Sequence, residues 1–191
     1  MSYANDYASF VDRKLAMVMP SGIAKPDALP ASLFPHQKAL TTWALKRGRA
    51  AIFADTGLGK SRMELAWADA IRKHTGQPVL ILAPLAVATQ TAIEGAQIGL
   101  QVTVCRDGSD VDDRGINITN YDRLHRFDPA IFGGVVLDES SIIKHHDART
   151  FSTLTAAFAR TPFKLPATAT PAPNDWTERA LIAYLHWSYR G

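Results

Sequence analysis

The chain has 191 residues, 47% of them apolar and 20% charged, with a formal net charge of +3. That length allows one domain with a substantial buried core, and the composition is ordinary for a globular protein. Cys105 is the single cysteine, which excludes an intrachain disulfide and points to a reduced, intracellular setting.

The small basic excess suits a polyanionic partner but does not by itself require one. No segment approaches the roughly 18 consecutive apolar residues of a membrane-spanning helix. Asp6, Asp12, Arg13 and Lys14 stand where a secretory signal would be apolar.

The predicted elements alternate. Tyr7, Phe10, Val11, Leu15 and Val18 fall at helical spacing. Pro20-Ser21-Gly22 and the prolines at 26 and 30 read as a linker. A second helix is expected from Pro35 to about Arg47. Ala50 to Ala54 is a short apolar strand running into a glycine-rich turn, and the helix after Lys60 places Met63, Ala66, Trp67, Ala70 and Ile71 on one face. Val79 to Leu82 is a buried strand that stops at Pro84.

Thr89 to Ile98 suits a helix, and Val102 to Cys105 and Ile116 to Thr119 suit strands. Val135 to Leu137 is a strand ending in two carboxylates, and Ala148 to Phe158 suits a helix. Phe163 to Leu165 leads to Thr168, and a last helix is expected after Asp175. Continuous apolar strands between helices predict an α/β domain: a mostly parallel sheet with helices on both faces and a helical N-terminal extension. The expected division is an extension over 1–32 and a nucleotide-binding lobe over 33–191.

Asp55-Thr56-Gly57-Leu58-Gly59-Lys60-Ser61 has the chemistry of a phosphate-binding loop. Glycines let the backbone curl around an anion, and the helix N-terminus that follows is electropositive. Lys60 would meet the outer phosphates of ATP, and the Ser61 hydroxyl is a natural Mg²⁺ ligand. Ala54 replaces the first glycine of the usual pattern. Asp138 and Glu139 end a buried strand at the edge where such sheets bind ligands. Asp138 would hold Mg²⁺, directly or through water, and Glu139 would polarise the attacking water. His145 and His146 are adjacent and point to different sides, poor geometry for a metal.

These residues together resemble superfamily-two helicases, and within them the Swi/Snf-type branch and its phage relatives. Phe34-Pro35-His36-Gln37 looks like the glutamine motif, which implies an adenine contact for Gln37. Asp55 to Ser61 looks like motif I, and Ala83-Pro84-Leu85 like motif Ia. Ile118-Thr119-Asn120-Tyr121 looks like the threonine-tyrosine segment of the same lobe. Asp138-Glu139-Ser140-Ser141 is similar to the DEAD/DEAH box, with Ile143-Lys144 after it, and Thr168-Ala169-Thr170-Pro171, with Asn174, to motif III.

The resemblance implies a RecA-like lobe using ATP and Mg²⁺. Thr56, Gly57, Leu58, Gly59, Lys60 and Ser61 would hold the nucleotide, and Ser141, Thr168 and Thr170 would couple its site to the rest of the lobe. Nucleic acid, favoured as double-stranded DNA, would run past Pro84, Leu85, Asn120 and Tyr121, with Arg123, Arg126 and Lys144 as further phosphate contacts. Tyr121 reads equally as a core aromatic. Trp187 and Tyr189 read as packing residues ahead of a base-stacking platform.

Ser141 replaces a histidine common in relatives, and Pro166 removes a donor from the motif III strand. A second RecA-like lobe, source of the arginine finger, is not expected within these residues and would come from another segment or subunit; without it turnover should be weak. The implied compartment is the cytoplasm of a bacterium, or of the host of a phage. Three functions compete: an ATP-dependent DNA helicase or translocase, a non-catalytic nucleotide-dependent nucleic-acid-binding or assembly module, and a small-molecule P-loop kinase. The last lacks an Arg-rich lid and gives no role to Gln37 or motif III.

Overall fold

The computed structural model describes residues 20–55, 57–84, 86–139 and 148–169. The helices expected around Tyr7 to Val18 and after Asp175 lie outside these residues, as do His145, His146, Trp187 and Tyr189. The described elements are α1 (Pro35–Arg47), β1 (Ile52–Phe53), α2 (Lys60–Thr75), β2 (Val79–Ala83), α3 (Ala88–Gln97) and β3 (Val102–Val104). They continue with β4 (Ile116–Asn120), β5 (Gly134–Leu137), α4 (Ala148–Ala157) and β6 (Phe163–Thr168). The order matches the sequence reading. Three short 3₁₀ turns, Gly108–Asp110, Tyr121–Arg126 and Pro129–Ile131, were not foreseen.

The six strands form one sheet in the order β1-β6-β5-β2-β4-β3, with every described pairing parallel. A parallel sheet is buried on both faces, and the side-chain alternation shows it. Val79 and Ile81 of β2 join a core with Ile116, Ile118, Val136 and Leu165, covered by Leu65, Trp67 and Ile71 of α2. Leu80 and Leu82 join the opposite core, with Val135, Leu137, Leu124, Phe127, Leu154 and Phe158. Trp67 is completely enclosed, and burying a side chain of that size contributes on the order of 2–3 kcal/mol.

Pro166 lies inside β6, between β1 and β5, where a lost N–H should weaken the sheet. The bonding pattern shows which ladder loses it. Lys164 donates to Gly48 O at 3.1 Å, Ala50 donates to Lys164 O at 3.1 Å, and Ala54 donates to Thr168 O at 3.2 Å. Even-numbered residues of β6 therefore face β1, and the missing donor falls on that side. There β1 is an edge strand of two residues, much shorter than the apolar run Ala50 to Ala54 suggests. The ladder to β5 keeps its register from Gly134↔Phe163 to Leu137↔Pro166. No helix among the described residues is long and apolar enough to cross a membrane.

Candidate nucleotide site

Because the strands are parallel, their C-terminal ends share one edge of the sheet, and the motifs collect there. Strand order then sets who meets whom. β6 lies between β1 and β5, so the glycine-rich turn and the acidic pair are separated by one strand, whose last residue is Thr168.

The turn after β1 is built by glycine. Leu58 N–H bonds Asp55 O at 3.2 Å, Gly57 has φ +87°, and Gly59 has φ +74° as the N-cap of α2. A methyl on Gly59 would stand 2.2 Å from Gln37 Nε2, so this glycine is needed for space as well as for φ. Gly57 has nothing within 4 Å of that position. Ala54 is buried and does not have positive φ, which explains why the first glycine of the pattern can be replaced. As N-cap, Gly59 brings no side-chain acceptor, which leaves the first-turn N–H groups of α2 for an anion. Thr56 lies outside the described residues.

Lys60 opens α2 and reaches across to the acidic pair. Its Nζ is 2.8 Å from Glu139 Oε2 and 3.1 Å from Asp138 Oδ1. Burial pushes the lysine pKa down, but the Glu139 hydrogen bond and the Asp138 charge outweigh it, and the net shift is upward. Thr168 Oγ1 donates to Glu139 Oε1 at 3.4 Å, which ties the end of β6 to the same carboxylate. Glu139 has φ +49°, the one non-glycine residue with positive φ among the described residues. A cavity of about 400 Å³ opens between these groups, lined among others by Gly57, Gly59, Lys60, Ser61 and Glu139. The donor set fits a nucleoside triphosphate with its divalent cation: a lysine, a serine hydroxyl, helix N–H groups and an aspartate. Among the described residues no group of three acidic, histidine or cysteine side chains could hold a metal ion.

No protein-family profile matches the chain, and no curated protein is similar to it in sequence. Solved structures do match. The SWI2/SNF2 ATPase core of Sulfolobus solfataricus, solved in complex with dsDNA, is 23% identical, with a TM-score of 0.69 over 84% of this chain and 37% of that one. The UvsW helicase of bacteriophage T4 is 15% identical, with a TM-score of 0.67 over 81% of this chain and 57% of that one. The Hef helicase domain of Pyrococcus furiosus is 18% identical, with a TM-score of 0.59 over 78% of this chain and 36% of that one.

The described domain has a RecA-like α/β fold, which it shares with these solved structures. The chain spans less than two thirds of each of these relatives.

Within this RecA-like lobe, several residues singled out by the sequence are engaged in other ways. Gln37 is 2% exposed and both ends of its amide are engaged. Its Oε1 accepts from Phe34 N–H at 3.0 Å, a helix-capping bond, and its Nε2 donates to Leu58 O at 2.9 Å. In this structure Gln37 braces the glycine-rich turn; its amide keeps a second N–H and a second lone pair, but the side chain is buried and would have to be uncovered to meet adenine.

Pro84 accepts from Val87 N–H at 2.9 Å at the start of α3, and Leu85 lies outside the described residues. Asn120 is buried at the end of β4, and its Oδ1 has no hydrogen-bond partner among the described residues. Tyr121 turns its hydroxyl inward, donating to Asp138 O at 2.8 Å, and packs against the core that holds Leu80 and Leu82. Ser141, Lys144 and Thr170 lie outside the described residues.

Glu64 is the residue the sequence reading missed. It sits one helical turn beyond Lys60, fully buried, with no N–H or O–H donor bonded to its carboxylate among the described residues; in its protonated form it can donate to Asp138. Burial raises its pKa well above the ordinary value, and the nearby Asp138 charge adds to the rise. An i, i+4 relation to a phosphate-loop lysine was the available signal. It reads as an ordinary surface pair until the sheet shows that this face of α2 is covered.

Proposed function

We propose that this chain is the ATP-binding lobe of an ATP-dependent DNA helicase or translocase, coupling hydrolysis to movement on nucleic acid. The observation that carries this is the contact of Lys60, at a glycine-built helix N-terminus, with Asp138 and with Glu139, which also meets Thr168, beside a cavity lined by Lys60, Ser61 and Glu139. The lobe would comprise 33–191, with 1–32 as an extension before it.

In this reading the turn from Thr56 to Ser61 binds the triphosphate, with Lys60 leaving the acids to meet it. Ser61 and Asp138 would hold Mg²⁺, which when bound neutralises developing phosphate charge. Glu139, freed from Lys60, orients the attacking water and accepts its proton. Thr168 senses the state of Glu139, and Thr170 and Ser141 would extend that coupling. Gln37 would recognise adenine with the N–H and lone pair its amide has left, once the buried side chain is uncovered. Pro84, Leu85 and Asn120 line the edge offered to nucleic acid. Double-stranded DNA is the favoured track because the Sulfolobus solfataricus structure was solved with it. A second lobe or subunit would supply the arginine finger.

The test measures Mg–ATP binding and turnover with and without duplex DNA, in the native chain, Lys60→Ala and Glu139→Gln. The expected result is DNA-stimulated turnover that falls ~10²-fold or more in both variants, with nucleotide affinity lost in Lys60→Ala and kept in Glu139→Gln. Turnover that survives Lys60→Ala would remove the site assignment. Nucleotide binding with no turnover under any condition would favour the non-catalytic binding or assembly module.

A further inference from the structure

Glu139 has φ +49°, a left-handed backbone conformation that non-glycine residues rarely adopt. A turn so strained relaxes unless its neighbours fix it. Hydrogen bonds at Asp138 hold the peptides on either side of that residue. Asp138 N–H donates to Leu82 O of β2 at 2.8 Å, a main-chain bond that any sequence could make. The hydroxyl of Tyr121 donates to Asp138 O at 2.8 Å. That oxygen belongs to the peptide joining Asp138 to Glu139, so its direction and the φ of Glu139 are set together.

The hydroxyl is well placed to act as a fixed strut. Tyr121 follows β4 directly and packs against the core cluster that includes Leu80 and Leu82. Burial, with the Asp138 charge adding to it, pushes the phenol well above its ordinary pKa, so it remains a proton donor. With the peptide held, the Glu139 carboxylate reaches both Lys60 at 2.8 Å and Thr168 at 3.4 Å. If the peptide rotated, the side chain would leave the cavity wall, although Asp138 and Lys60 would stay in place.

We propose that Tyr121 is a positioning residue for Glu139: its hydroxyl locks the Asp138–Glu139 peptide and thereby aims the Glu139 carboxylate over the nucleotide cavity. This rests on the reading of Glu139 as the group that orients water. It gives the tyrosine a task distinct from the nucleic-acid contact its sequence position suggests.

The test is Tyr121→Phe in the full chain, which keeps the ring and removes only the hydroxyl. Two measurements are made. Amide hydrogen exchange reports the turn without needing any activity, and Asp138 N–H should lose about tenfold of its protection, the equivalent of one hydrogen bond. Single-turnover hydrolysis should fall about tenfold or more while Mg–ATP affinity and DNA affinity stay within about twofold of the native chain. Unchanged exchange at Asp138 overturns the proposal. So does a loss of DNA affinity with hydrolysis intact, which would make Tyr121 a track contact. If the native chain hydrolyses nothing while exchange responds as expected, the strut stands and the reading of Glu139 fails.

Discussion

Two turns leave the same edge of the sheet and solve a similar backbone problem in opposite ways. The turn after β1 has positive φ at Gly57 and Gly59, and the turn after β5 has it at Glu139. In the first, the backbone itself is the functional surface, so side chains are in the way and glycine is the answer. In the second, a carboxylate must stand at the strained position, so glycine is not available and outside bonds must hold the strain. Gly59 is closed in by Gln37, while Glu139 is steadied by Lys60, Thr168 and, through the preceding peptide, Tyr121. Backbone strain at a phosphate loop is therefore legible as glycine, whereas strain at an acidic turn leaves no mark in composition.

The contrast can be broken first within the glycine turn. Gly59→Ala meets two penalties, the positive φ and the collision with Gln37 Nε2, and it should cost ~2–4 kcal/mol. Gly57→Ala meets only the first and should cost about 1 kcal/mol. Urea denaturation of the two variants without nucleotide measures the difference. Equal losses would show that Gln37 yields freely and does not brace the turn. Because Gln37 is pushed off Leu58 O, Gly59→Ala should also weaken Mg–ATP binding beyond what Gly57→Ala does.

A second test lies between the turns, at Glu64. Its pKa is raised by burial and by Asp138, so the folded state holds its proton above the ordinary value of 4.5. The sign follows from linkage. Below that value both folded and unfolded states bind the proton and the contribution is complete; as pH rises toward the folded pKa the unfolded state sheds its proton first and stability falls. Glu64→Gln carries no proton to lose and can donate to Asp138 with its amide. The stability difference between variant and native chain should therefore grow in favour of the variant from pH 4.5 upward, reaching about 1 kcal/mol or more at alkaline pH. A flat difference across a series of denaturation curves would mean that Glu64 is not a proton-holding neighbour of the site.

Much of the fold was legible because it depends on local pattern. Val79 to Leu82 and Val135 to Leu137 are continuous apolar runs, and only a two-sided sheet buries such runs. Gly57-Leu58-Gly59-Lys60-Ser61 announced the site for the same reason: its chemistry needs those residue types in that order. The rest depends on which strand ends meet. Nothing in the sequence places β6 between β1 and β5, and that order is what puts Thr168 against Glu139. Tyr121 and Asp138 lie 17 positions apart, and whether the tyrosine hydroxyl points to solvent or to a carbonyl is decided by the β2·β4 and β2·β5 pairings. Gln37 shows the same limit: residue type suggested an adenine reader, but only packing shows its amide engaged with Phe34 and Leu58.

The smallest expected effect is the most discriminating for the acidic turn. Glu139→Gly removes the unfavourable φ, which should return about 1 kcal/mol, and also removes the hydrogen bonds to Lys60 and Thr168. The Glu139 side chain is about one third exposed, so its ion pair with Lys60 is solvent-screened and contributes little, about 0.5–1 kcal/mol. The two changes nearly cancel, and thermal denaturation should place the variant within about 1 kcal/mol of the native chain. Hydrolysis, by contrast, should disappear. Glu139→Ala separates the terms, since it loses the same bonds and keeps the strain, and it should be less stable than Glu139→Gly by about 1 kcal/mol. If the alanine variant is instead the more stable of the two, the positive φ at Glu139 carries no strain, and the hydroxyl of Tyr121 has nothing to hold against.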